Sequence, residues 1–338
     1  MAVVFGVVRA GEWWEHKLAP VLGTGYATAF MAGASVADTA GALLVVLAAL
    51  LPGAVYVSVL NDLTDRESDR LAGKPNRLEG RSPRAAYAAI ALAAGAGLAI
   101  AVAAWRDDPA ALAVYGGAWL AFALYSVPPV RLKGRGAAGA IADATGAHLF
   151  PHLLVAAAVL AETGRSFDGA WPFVVGAWAL AHGLRGVTWH QLGDLEADGR
   201  SGLRTFARAD PDRARRVGTY VLFPAELVAF GALLAVAGGA VAAVLLPLYA
   251  LLEARRIRRW GGSLVVAAPA AGGTYRIAMN EFYVALYPLA FLTAATVRHP
   301  RDAIVLAVHV AAFPMTVARI VADVYSELRY PMPAVPAR

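Results

Sequence analysis

The sequence predicts an all-α polytopic membrane protein, and three observations predict it. Of 338 residues, 59% are hydrophobic and 16% charged, against about 25% charged in soluble domains. The mean hydropathy is +0.56. The apolar residues also fall into runs close to the roughly 20 residues a membrane helix needs. The expected organisation is a single transmembrane domain over residues 1–338.

In chain order, residues 1–17 form a cytoplasmic N-terminal segment. Met1 to Gly11 is weakly apolar and is followed by Glu12, Glu15, His16 and Lys17, which does not make a cleavable signal peptide. The predicted spans are Leu18–Ser35, Gly41–Leu60, Arg84–Trp105, Ala111–Val127, Ala137–Ala161, Trp171–Gly193, Val217–Ala237, Ala240–Leu252, Phe282–Val297 and Ala303–Val324. Ten spans follow, or nine if the short run after Gly238-Gly239 does not cross. Gly, Ala and Ser inside the runs allow close helix approach. The polar segments 61–83 and 194–216 are expected as active-site loops. Residues 253–281 form a linker and 326–338 a tail.

The charges orient this bundle. With the N-terminus in the cytoplasm, only Arg106, Arg165, Arg298 and Arg301 fall on the opposite side, and Arg185 and Arg319 lie within spans. Every other Lys and Arg is cytoplasmic, including Arg9 and Arg338, as the positive-inside rule requires. That bias explains a net charge of +6 without nucleic acid. It predicts an integral protein of the cytoplasmic membrane with its active-site loops facing the cytoplasm. The chain has no cysteine, which excludes disulfides, thiolate metal sites and a cysteine nucleophile.

The run Asn61-Asp62-Leu63-Thr64-Asp65-Arg66-Glu67-Ser68-Asp69-Arg70 closes the second span. Asp62, Asp65 and Asp69, at i, i+3 and i+7, share one helix face. Such a face belongs either to a solvated helix end or to a hard divalent cation, for which carboxylate oxygens suit magnesium. The same spacing recurs as Gln191-x-x-Asp194-x-x-x-Asp198, with Arg200 just after, a weak internal repeat. Between the two lies Tyr125-Ser126-Val127-Pro128-Pro129-Val130-Arg131-Leu132-Lys133-Gly134-Arg135, where the prolines stop a helix and the basic residues follow at alternate positions. Two acidic helix ends with cations between them fit a metal–diphosphate site, since a diphosphate leaves readily only when its charge is neutralised.

These residues resemble the UbiA superfamily of intramembrane prenyltransferases. Asn61, Asp62, Asp65 and Asp69 meet its first signature in full, and Asp194 and Asp198 meet its second. Tyr125 to Lys133 and Gly202-Leu203-Arg204-Thr205 are also similar. The likeness covers roughly residues 12–240. It implies a bundle of nine spans, Mg2+, and an allylic prenyl diphosphate donor. It implies Asn61, Asp62, Asp65, Asp69, Asp194 and Asp198 as metal ligands, direct or through water. Arg77 and Lys133, with Arg131 or Arg204, would contact diphosphate, and Tyr125 would hydrogen-bond nearby. The chain departs from the pattern at Gln191, where many members have Asp, and at Leu78, where a second proline is common.

The resemblance implies ionisation-first transfer of an isoprenyl group to a lipophilic or aromatic acceptor, among membrane lipids, with Asp62, Asp65, Asp194 and Lys133 as catalytic residues. Phosphoribosyl transfer to polyprenyl phosphate and terpene cyclisation are alternatives within the superfamily. A non-catalytic lipid-binding protein or transporter is an alternative outside it. Ionisable residues within spans are functional candidates, here Asp143, His148, His152, His182, Arg185, His190, Glu226, His309, Arg319 and Asp323. His190 is a candidate general base or a hydrogen-bonded helix-end residue. Arg185, nine residues before Asp194 and about 13 Å along a helix, suits an acidic acceptor, or pairs with Asp143 or Glu226.

Overall fold

From Ala40 to Leu60 the chain carries no charge, and Ala and Leu, both strong helix formers, dominate it. The helix they form, α2 (Ala40–Thr64), runs on past the apolar stretch and delivers the first acidic motif at its end. The computed structural model describes residues 14–268 and 274–329. Most of the predicted N-terminal segment with Arg9, part of the 253–281 linker, and residues 330–338 of the tail with Arg338 lie outside the described residues.

The other long helices are α1 (Ala19–Ala32), α4 (Pro83–Trp105), α5 (Pro109–Ser126), α6 (Ala137–Glu162) and α7 (Ala170–Gly193). Then come α10 (Pro211–Ala237), α11 (Ala240–Trp260), α12 (Phe282–Arg298), α13 (Ala303–Ala312) and α14 (Pro314–Arg329). Short helices α3 (Arg66–Ala72), α8 (Leu195–Ser201) and α9 (Phe206–Ala209) fill segments expected as loops. α6 is central and packs against α1, α2, α5 and α7. Close approach depends on glycine here: a Cβ on Gly25 of α1 would stand 2.5 Å from Leu43 of α2 and 2.9 Å from Val155 of α6.

Five helices, α2, α4, α5, α6 and α10, are each long and apolar enough to cross a membrane. The predicted span Ala303–Val324 is not one helix. α13 and α14 meet at 89°, because Phe313 precedes a proline and is pushed out of the helical region, to φ −129° and ψ 60°. α7 carries His182, Arg185 and His190, and α11 ends in Arg255-Arg256-Ile257-Arg258-Arg259, which lowers the hydropathy of both. The 253–281 segment also differs from expectation. Helix α11 runs through it to Trp260, and a parallel strand pair follows, Ser263–Val265 on Tyr275–Ile277.

α14 is amphipathic. Its Asp323 and Glu327 meet Arg256 at 2.6 Å and Arg259 at 3.2 Å on α11, while Val321, Val324 and Leu328 on the other face are exposed. Arg256 is fully buried and also holds Glu253 and Glu281. Such a buried charge is tolerable only because it is multiply paired.

Candidate active site

The two acidic motifs are built alike. α2 breaks at Asp65 (φ −100°, ψ 2°), and α7 breaks at Asp194 (φ −98°, ψ 8°). At each break the peptide N–H still bonds four residues back, Asp65 to Asn61 and Asp194 to His190, and the next turn restarts from the Asp carbonyl. A seven-residue helix follows in each case and stops at a left-handed glycine, Gly73 (φ 69°) or Gly202 (φ 72°), the residue type that position favours. α3 and α8 pack together, and Arg200 donates to the Ala72 carbonyl at 3.0 Å. The repeated spacing in the sequence is therefore a repeated helix–break–helix unit.

Between the units lies a cavity of about 710 Å³. Asn61, Asp62, Asp65, Asp69, Arg77, Tyr125, Lys133, His190, Gln191, Asp194 and Asp198 all line it. Thus one space gathers most of the residues singled out in the sequence. The cations are already engaged. Arg77 meets Asp62 at 2.9 Å, Arg131 meets Asp65 at 3.0 Å and Lys133 meets the same carboxylate. Arg131 does so from a left-handed backbone (φ 34°) in the turn after Pro128-Pro129. The Ser126 hydroxyl donates to Asn61 Oδ1 at 2.5 Å.

Several further partners stand outside the two acidic motifs. Lys74 donates to Asp194 at 2.9 Å and Asn76 to Asp69 at 2.7 Å. Thr205 donates to Asp198 at 3.0 Å, and burial pushes the Asp198 carboxyl up from its ordinary range. The spacing Asp69 to Asn76 gives a hint, since α3 ends at Gly73 and the chain must turn back over the motif. Lys74 has no such signal, whereas Thr205 closes the run Gly202-Leu203-Arg204-Thr205 noted in the sequence.

Two predicted contacts are placed elsewhere. Arg185 does not line the cavity. It is buried, paired with Glu226 at 2.6 and 2.9 Å, and bonded to the carbonyls of Val266 and Ala278, so it ties the 261–281 segment to α7 and α10. Arg204 does not line it either; its carbonyl accepts the Gly136 N–H at 3.0 Å. Gln191 lines the cavity, but its side-chain oxygen accepts the Ala207 N–H at 3.2 Å.

Among the described residues, no three His, Cys, Asp or Glu side chains converge to hold an ion alone. That donor set still fits magnesium, which is ordinarily bound by one or two carboxylates together with substrate phosphates and water. Each acidic unit offers two or three carboxylates to the shared cavity.

A second cavity, about 170 Å³ and almost wholly apolar, lies further along the same helices. α2 lines it with Ala49 to Ser58, α5 with Val114 to Phe122 and α6 with Gly146 to Leu154. The polar cavity uses the next residues of those helices, Asn61, Tyr125 and Asp143.

Residues 21–263 match the model of the UbiA prenyltransferase family, and the chain belongs to that family. It is 31% identical over 217 residues to a lycopene elongase/hydratase of Halobacterium salinarum, covering 62% of this chain and 72% of the relative. Its fold is similar to a UbiA homologue of Archaeoglobus fulgidus solved with GPP and Mg2+, at TM-score 0.57 and 20% identity, over 92% of this chain and 99% of that one. The same homologue with DMAPP and Mg2+ gives TM-score 0.57 and 18% identity, over 87% and 99%. The apolar helices and the family together make this an integral membrane protein.

Proposed function

We propose that the protein transfers an isoprenyl group from an allylic prenyl diphosphate to a lipophilic or aromatic acceptor. The reading rests chiefly on one observation: two equivalent acidic breaks, at Asp65 and Asp194, line one cavity with Lys133 and Arg77, directly before an apolar cavity on the same helices. A diphosphate with an apolar tail has the same division. Asn61, Asp62, Asp65, Asp69, Asp194 and Asp198 would hold Mg2+, directly or through water. Bound magnesium supplies charge neutralisation for the departing diphosphate.

The chain's own residues do the rest. Arg77, Lys133 and Arg131 exchange their carboxylate partners for phosphate oxygens, a bidentate match in the case of arginine. Tyr125 stands at the inner edge of the polar cavity, beside the bond that breaks. Tyr56, Trp119, Phe122 and Phe150 line the apolar cavity, exclude water and present ring faces to an allylic cation. Gln191 keeps the α9 segment in place and leaves the second unit one charge poorer than the first. The likeness to a lycopene elongase/hydratase favours a lipophilic acceptor.

The site belongs to a single transmembrane domain with nine or ten crossings, the acidic units facing the cytoplasm in the cytoplasmic membrane. The test uses purified protein with geranyl and dimethylallyl diphosphates. Asp65→Asn and Asp194→Asn should each abolish magnesium-dependent diphosphate release. Turnover retained in both would overturn the assignment.

A further inference from the structure

We propose that Asp143 of α6 is the base that removes the proton lost from the acceptor after alkylation, a role that rests on the prenyltransferase reading above. The observation behind it is an inequality among the carboxylates of the polar cavity. Asp62 holds Arg77, Asp65 holds Arg131 and Lys133, Asp69 holds Asn76, Asp194 holds Lys74 and Asp198 holds Thr205. Asp143 lines the same cavity and, among the described residues, has no side-chain hydrogen bond or ion pair, although Lys17, His190 and Lys133 act on its charge. A half-buried carboxylate whose oxygens face a cavity with no hydrogen-bond donor on them is placed to accept a proton from a molecule bound there.

Its position defines the task. On α6 the lining passes from Asp143 in the polar cavity to Gly146 in the apolar one, a step of about 4.5 Å along the helix. Tyr125 on α5 and Asn61 on α2 mark the same boundary. A donor with its diphosphate on one side and its tail on the other places its C1 carbon at that boundary. His190, the alternative base, holds in its unit the place that Asn61 holds in the first, its carbonyl accepting the Asp194 N–H as that of Asn61 accepts the Asp65 N–H, but its ring packs edge-on against Trp189. The charges that act on Asp143 come from Lys17 before α1, His190 on α7 and Lys133 in the turn before α6.

The step balances as follows. The C1–O bond breaks, and its electron pair leaves with diphosphate. A π pair of the acceptor forms the new C–C bond to C1, which leaves the acceptor cationic. The C–H bond next to that cation, or at the alkylated ring carbon, breaks, and its pair restores the double bond. The proton passes to an Asp143 carboxylate oxygen and returns to water through the polar cavity. No oxidant or reductant is needed.

The test offers the full-length protein radiolabelled geranyl diphosphate, Mg2+ and vesicles made from the lipid extract of the source cells, and measures released diphosphate, labelled lipid and labelled geraniol. In Asp143→Asn, diphosphate release should stay within about threefold of wild type. Labelled lipid should fall by about 100-fold or more, the size of a general-base contribution, with geraniol formed instead by water capture. Asp143→Glu should restore part of the lipid product. Binding of geranyl thiodiphosphate and the thermal midpoint should match wild type, which shows the variant folded. An unchanged ratio of labelled lipid to diphosphate in Asp143→Asn would overturn the proposal. So would loss of diphosphate release in the folded variant, which would place Asp143 among the phosphate contacts. A wild-type protein that releases no diphosphate would remove the prenyltransferase reading, and the base with it.

Discussion

Lys74, just past the first acidic unit, reaches Asp194 at the break of the second, with Nζ 2.9 Å from Oδ2. Together with the Arg200 bond to the Ala72 carbonyl, it links the two halves of the site. Both groups are substantially exposed, at 39% and 51%, so the pair adds little stability, on the order of 0–1 kcal/mol. Its value lies in holding a cation where a diphosphate would sit. Lys74→Ala should leave the thermal midpoint unchanged and raise the KM for the donor about tenfold, the size of one lost charge-assisted contact. Steady-state kinetics at saturating magnesium would show it, and an unchanged KM would exclude Lys74 from the phosphate site.

Gln191 stands where the first unit has Asp62, and its side-chain oxygen serves the Ala207 N–H. Gln191→Asp would equalise the two units. A third carboxylate raises the attraction for a divalent ion, so the half-saturating magnesium concentration should fall severalfold. The shorter side chain should release Ala207 at a stability cost of about 1 kcal/mol. A magnesium titration of turnover and a thermal melt measure the two effects separately.

The parts of this site that were legible in the sequence are those set by periodicity. The spacing of Asp62, Asp65 and Asp69 grouped them on one side, although the chain breaks at Asp65 and they meet in one cavity from α2 and α3 rather than on one helix face, and the match at Gln191, Asp194 and Asp198 implied a second unit. The prolines at 128 and 129 announced the turn that carries Arg131 and Lys133. The break at Asp65 was not legible, because no proline or glycine stands beside it, whereas the break at Asp194 directly follows Gly193 and falls where the predicted span ends. Which of its readings Arg185 follows, acceptor contact or a pair with Asp143 or Glu226, was not legible for a related reason. Its partner Glu226 is 41 residues away on α10, and only the packing of α7 on α10 selects it over Asp143. The bend at Phe313 was written in Pro314, but an apolar run on both sides masked it.

The Arg185–Glu226 pair yields its own prediction. Both groups are almost fully buried, at 2% and 0% exposure, and Arg185 also supports two carbonyls of the 261–281 segment. Removing one partner from such a pair destabilises by about 3–5 kcal/mol, because the other charge is left buried and alone. Arg185→Met should therefore lower the thermal midpoint clearly. Proteolysis should become faster near Val266 and Ala278, whose carbonyls Arg185 holds. An acceptor role would instead appear as a raised acceptor KM with an unchanged melt.

Magnesium should bind this protein weakly until a diphosphate is present. The carboxylates of the cavity hold Arg77, Arg131, Lys133 and Lys74, and a cation alone must displace them. A diphosphate draws those side chains to itself and adds its own oxygens to the ion. Thermal melts should then show almost no shift with Mg2+ alone and a clear rise with Mg2+ plus a thiodiphosphate analogue, reversed by EDTA. At a hundredfold excess over Kd the stabilisation is about 2.7 kcal/mol. Equal shifts with and without the analogue would mean a preformed ion site.

On the proposed function, the apolar cavity would set which donors fit. Its wall includes Phe150 of α6, whose ring lies against Gly117 of α5, where a Cβ would approach to 2.8 Å. Trp119 closes the side towards α2 and packs on Tyr56 with ring centroids 4.6 Å apart. Phe150→Ala would remove a ring from a close-packed wall and lengthen the channel, at a cost of about 3–5 kcal/mol if the void stays empty. A longer prenyl tail would fill that void. The variant should therefore be less stable alone and regain stability with geranylgeranyl thiodiphosphate. Its kcat/KM should shift from dimethylallyl towards geranylgeranyl diphosphate by about tenfold, since each added methylene buried contributes roughly 0.8 kcal/mol. Gly117→Ala, which presses on Phe150 from the other side, should shift the preference in the opposite direction. Competition assays with mixed donors would read both shifts, and an unaltered preference in both variants would place the tail outside this cavity.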